Sequence, residues 1–324
     1  MRALIGLVRA TTGVLVLWII AWIVTGDAWA AVRIGVYMSP FLLGIAFALS
    51  LLAVWLRRWV VAGLAALVAM TLAASSPASL FRVWSPASAA AVSEGISLVS
   101  LSNRTANADM VATSRSLIVN RADIFVLQEI ANPRALVEHL VGLYEVGRSP
   151  KACWLGTYLI VSRFELSPAH RLAGNEAIRC KISLPAGPAV VYSVHLPRAV
   201  RDASRQRAAI ARLLADAKRQ TAPVILAGDF NATPMSQTMR AIVSNLVNAF
   251  DHVGDGPGFT FPTPARRLGT IGPFLRIDHV VLSQVLAPVR AKSARWYPPG
   301  ADHFPVEVVF QDSRHTDALT GETR

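Results

Sequence analysis

From Met1 to Ala90 the sequence contains no lysine, no glutamate and a single aspartate, Asp27. Six arginines (Arg2, Arg9, Arg33, Arg57, Arg58 and Arg82) are its only other charges. So few charges cannot clothe a soluble domain, and in a chain that is 53% hydrophobic with a mean hydropathy of +0.43 they point to a part that lies in lipid. The remainder differs: from Ala91 onward there are 26 basic and 19 acidic residues, a net charge of +7. That is the balance of an ordinary soluble domain, so the +12 of the whole chain overstates any case for nucleic acid. A modest basic surplus suits any phosphate-bearing substrate, or serves solubility alone. Cysteine is scarce, with only Cys153 and Cys180, and the lack of a Cys/His cluster argues against structural zinc. No internal repeat and no run of like charges is present, which argues against a solenoid and against a disordered charged arm.

The N-terminal segment does have long uncharged runs. Ile34 to Leu56 is 23 residues without a charge, enough to cross ~30 Å of hydrocarbon at ~1.5 Å per residue. Ala10 to Thr25 reaches that length if the helix begins near Leu4 and Arg9 snorkels. Trp59 to Ser76 is a third run, and six of the eight tryptophans fall in this region, four of them near predicted helix ends, as in an aromatic belt. Residues 1–81 are therefore predicted to form a membrane region with three transmembrane helices. A cleaved signal peptide, suggested by Ala28-Trp29-Ala30, is the alternative for the first run, and the two runs after it argue against cleavage. Arg2, Arg9, Arg57 and Arg58 on one side against Arg33 and Arg82 on the other put the N-terminus inside. Three spans then make a multi-pass protein of the cell membrane, the inner membrane in a bacterium, with its soluble domain periplasmic or extracellular.

Residues 82–95, rich in Ser, Ala and Pro, read as a linker to a domain over 96–310, which a polar tail, 311–324, follows. In the domain, strand-like runs (96–102, 124–128, 158–161, 190–195, 224–226, 279–282 and 306–310) alternate with helical spacing (108–120, 133–143, 201–219 and 236–247). This mixed order argues for an α/β fold of sheets covered by helices. Cys153 precedes one strand-like run and Cys180 opens another, and their midpoint falls at the turn signal Ser167-Pro168. They are either a cross-strand disulfide of a hairpin, which would need an oxidising compartment, or two unpaired core cysteines.

Polar residues with ligand character sit where apolar strands end: Asn103 after Ser97–Ser102, Glu129 after Ile124–Gln128, His195 after Val191–Val194, and Asp229 after Val224–Gly228. Asp278 precedes its strand, as does the pair Asp302-His303. Strand ends that face one edge gather such groups in space. The carboxylates of Glu129 and Asp302, the amide oxygen of Asn103 and several waters would suit Mg²⁺ or Mn²⁺, which take hard oxygen ligands. Singly, each residue has a plain structural explanation as a helix cap, a turn or a core histidine. Gly228-Asp229-Phe230-Asn231 and Asp302-His303-Phe304-Pro305-Val306 are harder to explain that way. Arg104, Arg201, Arg205 and Gln206 stand at the rim of such a site, or are solvated surface.

With Leu127-Gln128-Glu129, Val194-His195-Leu196, Arg276-Ile277-Asp278-His279 and the Ile-Val-Ser-Arg ending at Arg163, these motifs follow the order found in the endonuclease/exonuclease/phosphatase superfamily. The chain resembles that family, which includes deoxyribonuclease-I-like nucleases and neutral sphingomyelinases, over roughly 96–310. The resemblance implies a four-layer sandwich of two packed mixed sheets flanked by helices, and a Mg²⁺- or Mn²⁺-dependent phosphoric ester hydrolase. It implies that Glu129 holds the metal with Asn103 and Asp302 nearby, and that Asp229 orients or deprotonates the attacking water. Asn231 and His195 would bind phosphate oxygens, and His303, held by Asp278, would donate to the phosphoryl group. The substrate remains open between nucleic acid, for which Arg266, Arg267, Arg276 and Phe274 offer a few loop contacts, and a phospholipid head group, which an anchor in the bilayer favours. A catalytically silent binding module on the membrane is the alternative of another class, and the retention of Glu129, Asp229, Asp278 and His303 argues against it.

Overall fold

A computed structural model describes residues 1–83, 95–104, 106–107, 109–143 and 150–314. The predicted linker and tail lie outside these residues, apart from Arg82, Val83, Gly95 and 311–314. The chain divides into two compact units, one of Met1–Pro77 with Thr233–Ala241 and the other of Ala78–Ala232 with Ile242–Arg324.

The first unit contains helices α1 (Arg2–Thr25), α2 (Ala30–Tyr37), α3 (Ser39–Trp55) and α4 (Trp59–Ser75). Among the described residues only α1, 24 residues of mean hydropathy 2.1, is by itself long and apolar enough to cross a membrane. This corrects the expectation of three spans. The uncharged run from Ile34 is interrupted, because α2 and α3 meet at a bend of 80° and count as one span at most. Pro40, in the first turn of α3, supplies the physical reason: it has no N–H to bond back to Val36, and in a continuous helix its ring would crowd that carbonyl. The third run forms a helix of 17 residues, shorter than ~30 Å of hydrocarbon requires. Counting charges measures the length of an apolar run but not whether one helix occupies it. Leu15, Ile19, Trp22, Val36, Val68 and Leu72 form the buried core of this unit together with Met235. Thr233–Ala241 is part of the same unit, where Asp27 Oδ2 accepts from the backbone N–H of Gln237 at 3.0 Å.

The second unit is made of two six-stranded sheets. One contains β1 (Ile96–Ser102), β2 (Ile124–Gln128), β3 (Lys151–Leu155), β4 (Tyr158–Ser162), β11 (Leu286–Ser293) and β12 (Val306–Asp312), in the order β11-β12-β1-β2-β4-β3. The other contains β5 (His170–Arg171), β6 (Ala177–Leu184), β7 (Gly187–His195), β8 (Val224–Asp229), β9 (Val247–Asn248) and β10 (Asp278–Leu282), in the order β5-β6-β7-β8-β10-β9. Alternation along the strands assigns the faces. Leu98, Ile124, Val126 and Ile160 meet Ile178, Val191, Ile225 and Val280 between the sheets. Their neighbours Val99, Leu101, Phe125 and Leu127 instead pack on Leu117 of helix α5 (Met110–Asn120) and on Leu136 and Leu140 of helix α6 (Pro133–Leu143). On the outer face of the second sheet, Tyr192 donates to Asp216 of helix α7 (Ala203–Lys218) at 2.8 Å. The result is an α/β fold of two packed mixed sheets flanked by helices.

β11 has no counterpart among the expected strands, because Pro288 demotes the run; it is tolerated there on an edge strand, next to a bulge between Pro288 and Arg290. The helix expected over 236–247 ends at Val243, and Val247–Asn248 pairs with β10 instead. Cys153 and Cys180 form a disulfide, but β3 pairs with β4 and β6 with β5 and β7. The bond therefore crosses from one sheet to the other and does not bridge the two arms of a hairpin. It closes a loop of 27 residues, which by chain entropy stabilises the fold by roughly 3–4 kcal/mol.

Candidate active site

The strand register accounts for the site. β1 and β2 run parallel with Ser102 beside Gln128, so Asn103 and Glu129 leave the first sheet next to one another. In the second sheet His195 lies beside Asp229, and Asp278 lies across from Asp229 on its other side. β12 runs antiparallel to β1, with Val306 opposite Ser100, which brings the preceding Asp302-His303 to the same edge. Gln128 Nε2 donates to Ser193 Oγ at 2.9 Å, and Ser193 Oγ donates to Leu127 O at 2.9 Å, so the two sheets are tied just beneath that edge.

Glu129, His195 and Asp229 form the one group of His, Cys, Asp or Glu among the described residues whose ligand atoms gather within 4.8 Å of one another. His195 Nε2 is 3.4 Å from Glu129 Oε1 and 3.7 Å from Asp229 Oδ2. Two carboxylates this close repel each other and are held together at the least cost by a cation, so the donor set fits a divalent metal. Glu129 adopts a left-handed φ of 56°, which turns the chain out of β2. Asn103, fully buried, anchors its N–H on Gln128 O at 3.0 Å and accepts at Oδ1 from Asn107 at 3.2 Å. Its Nδ2 has no partner among the described residues. Asp302 stands apart from the Glu129 group: Arg266 grips its Oδ2 at 2.6 Å. Arg266, one of the loop contacts considered for a nucleic-acid substrate, is thus engaged with Asp302, and 36 residues of separation leave no local signal of the pair.

Asp229 is buried at the centre. Asn231 donates to it twice, from its backbone N–H at 2.7 Å and from Nδ2 at 2.9 Å, and Nδ2 also donates to Leu196 O at 2.9 Å. Asn231, expected on a phosphate oxygen, is bonded to the carboxylate through both of these groups, and Gln206 holds its backbone by donating to Asn231 O at 3.0 Å. Gln206 is accordingly a buried positioning group and not a rim residue. Burial pushes the Asp229 carboxyl above the usual carboxylate range; the charge of Asp278 adds to this, while His303 and His195 oppose it. Asp278 Oδ2 lies 2.8 Å from His303 Nδ1, and His303 Nε2 lies 4.0 Å from Asp229 Oδ2. Burial alone would lower the His303 imidazole, but the charge and hydrogen bond of Asp278, with Asp229 and Asp302 behind them, raise it to about 9. Asp278 thus favours the charged form of His303, whose Nε2 faces the Asp229 carboxylate. Phe261, also unforeseen, packs on the His303 ring at 4.8 Å between centroids, and Thr260 Oγ1 accepts from Asp278 N at 3.3 Å.

Two other motif residues prove structural. Arg276 is buried, ion-paired with Asp251 and stacked on Phe250 at 4.7 Å, so it is no substrate contact. His279 is fully buried between Asn248 Nδ2 at 3.0 Å and Ala232 O at 2.9 Å, and burial with the charge of Arg276 lowers it to about 3. It folds neutral and takes up a proton on unfolding below about 6.5. Its share of stability is complete above pH 6.5 and is lost as the pH falls toward 3, at about 1.4 kcal/mol per unit. Calorimetry from pH 7 to 5 should show a falling melting temperature, with a smaller fall in His279→Gln.

Gly228 sets the position of Asp229. Its φ of 147° suits glycine alone, and an added Cβ would sit 1.9 Å from Val194 O in the adjacent strand. Gly228→Ala is expected to destabilise the domain by on the order of 3 kcal/mol and, by displacing Asp229, to lower kcat about 100-fold. Thermal melts and turnover of the refolded variant check both effects.

The sequence matches the Endonuclease/Exonuclease/phosphatase family over residues 96–303. The chain belongs to this family. Family enzymes are generally metal-dependent phosphoesterases, in keeping with the Glu129 group. Similar solved structures include a 3′ phosphatase from Neisseria, NExo, bound to a product DNA hairpin, at 18% identity and a TM-score of 0.53, covering 67% of this chain and 99% of that one. An AP endonuclease from Archaeoglobus fulgidus is similar at 14% identity and a TM-score of 0.54, and a humanized D. rerio TDP2 at 15% and 0.53, each with 67% and 99% coverage. At these identities they establish the family's fold. No curated protein sequence matches the chain.

Proposed function

We propose that the protein is a membrane-anchored, divalent-metal-dependent phosphoesterase that hydrolyses phosphodiester bonds in the manner of a nuclease, with phosphomonoesters as a second class of substrate. The observation that carries this reading is the meeting of Glu129, His195 and Asp229 beside the Asp278–His303 pair at one sheet edge. Glu129 would hold the metal, Mg²⁺ or Mn²⁺, through hard oxygen, with Asn103 alongside and His195 at its flank. When bound, that ion supplies positive charge to the phosphoryl oxygens and the departing oxygen. Asp229, aligned by Asn231, receives the proton of the attacking water, for which its raised basicity suits it. His303, charged and fixed in orientation by Asp278, donates a hydrogen bond to the phosphoryl group as negative charge builds. Asp302, neutralised by Arg266, keeps its carboxylate beside His303 at 4.0 Å.

The α1 helix supports a second reading of the substrate, a phospholipid head group, because it would hold the site near a bilayer. The disulfide supports a domain on the oxidising, external side of that bilayer, where such bonds persist. Full-length protein in detergent micelles, given Mg²⁺ or Mn²⁺ and a panel of single- and double-stranded DNA, RNA, sphingomyelin, phosphatidylcholine and nucleoside monophosphates, tests the first reading. Highest kcat/KM on a nucleic acid supports it; turnover of lipid alone moves the assignment to the head-group enzyme; and no turnover of any member leaves the binding module. A C-terminal alkaline-phosphatase fusion that stays inactive would contradict the external placement.

A further inference from the structure

A cavity of about 520 Å³ on the edge of the second sheet is lined by His170 and Arg171 of β5, Arg179 of β6, and Arg212, Asp216 and Arg219 on or directly after α7. It shares no residue with the Asp229–His303 centre. Its walls follow from local geometry. Positions 212, 215, 216 and 219 recur at helical spacing and occupy one face of α7. Arg179 lies opposite Tyr192 in register, on the sheet face where Tyr192 meets Asp216.

One carboxylate organises most of the wall. Asp216 bonds Arg179 Nε at 2.9 Å through one oxygen and Arg219 Nη2 at 3.0 Å through the other, while the Tyr192 hydroxyl donates to it at 2.8 Å. Burial would raise this carboxyl, but the Tyr192 and Arg219 hydrogen bonds and the two guanidinium charges hold it below its ordinary value, so it stays ionised. Glu176 Oε1 fixes Arg212 Nε at 2.7 Å. Three of the four arginines thus pair with two carboxylates, while Arg171 donates to Asn175 Oδ1 at 3.4 Å, and the four guanidiniums retain two positive charges in excess of Asp216 and Glu176 before His170 is counted. Lysines would leave mobile point charges there; guanidiniums braced from behind by carboxylates present planar forks of donors, which match the oxygens of a phosphate. The volume is in the range of small-molecule sites, roughly 300–1,000 Å³, and is too large for a single inorganic anion alone.

We propose that this cavity is a second phosphate-binding site, separate from the metal centre, which takes an organic phosphate or a linked pair of phosphates through Arg171, Arg179 and Arg219. The same chemistry could be presented by a free oligophosphate or by an anionic lipid head group.

Isothermal titration of the full chain in detergent, freed of metal with EDTA, with inorganic pyrophosphate and with dibutyryl phosphatidylglycerol as probes, tests the proposal. One saturable site per chain is expected, retained in Glu129→Ala and weakened about tenfold or more in Arg219→Ala and Arg171→Ala, one charged contact being worth about 1.4 kcal/mol or more. Arg134→Ala, which removes an exposed arginine elsewhere on the same unit, should bind as the wild type does. Circular dichroism and melting temperature keep a folding defect apart from lost binding. Tighter binding of dibutyryl phosphatidylglycerol assigns the lipid head group, and tighter binding of pyrophosphate a free phosphate. No saturable binding, loss of binding in Glu129→Ala, or equal weakening by Arg134→Ala would overturn it.

Discussion

Asp229→Asn should lower kcat by about 10²–10⁴-fold, the usual contribution of a positioned general base, while leaving the protein folded. An amide keeps the shape of the carboxylate but cannot take the proton of the attacking water. Asp229 is buried, and desolvation opposes its charge, so removing that charge relieves a cost as it breaks one of the two bonds from Asn231. The melting temperature should therefore stay near wild type or rise, and KM should change little. A variant that unfolds would say that Asp229 is mainly structural; one that keeps wild-type kcat would remove it from the chemistry.

Asp278→Asn should lower kcat by a comparable factor, on the order of 10²–10⁴-fold, without Asp278 itself touching substrate. Its carboxylate is what keeps His303 charged and its ring aligned, at 2.8 Å from Nδ1. An asparagine there can present its amide N–H to that nitrogen and so favour the wrong tautomer. Because Asp278 would act only through His303, the double variant Asp278→Asn/His303→Gln should be scarcely slower than the worse single variant. Multiplicative losses in kcat would show that the two residues act independently, and an unchanged KM across the set separates this from a binding defect.

Much of the site could be read from the sequence because apolar strand runs stop abruptly at polar residues. Asn103, Glu129, His195 and Asp229 each follow such a run, and parallel register of β1 with β2 and of β7 with β8 places them in adjacent pairs. What could not be read depends on contacts distant in sequence. Arg266 and Asp302 are 36 residues apart, and Gln206 meets the Asn231 carbonyl across 25. The cysteine midpoint could not reveal that β3 and β6 belong to different sheets, since the crossover between them looks locally like a turn. Hydropathy was blind to the bend of 80° between α2 and α3, because Pro40 carries no charge to end the run. Nor does any local pattern explain why Thr233–Ala241, directly after the Asp229–Asn231 turn, packs with the N-terminal helices; Met235 does so by burying an apolar side chain in their core.

Hydrolysis of bis(p-nitrophenyl) phosphate by the full chain, followed through removal of metal by EDTA and its replacement with Mg²⁺ or Mn²⁺, bears on the whole mechanism at once. Turnover should vanish on chelation, return with the added ion in wild type, and fail to return in Glu129→Ala. Hydrolysis that survives chelation, or that Glu129→Ala supports at the wild-type rate, would contradict a metal-dependent phosphoesterase centred on Glu129, His195 and Asp229.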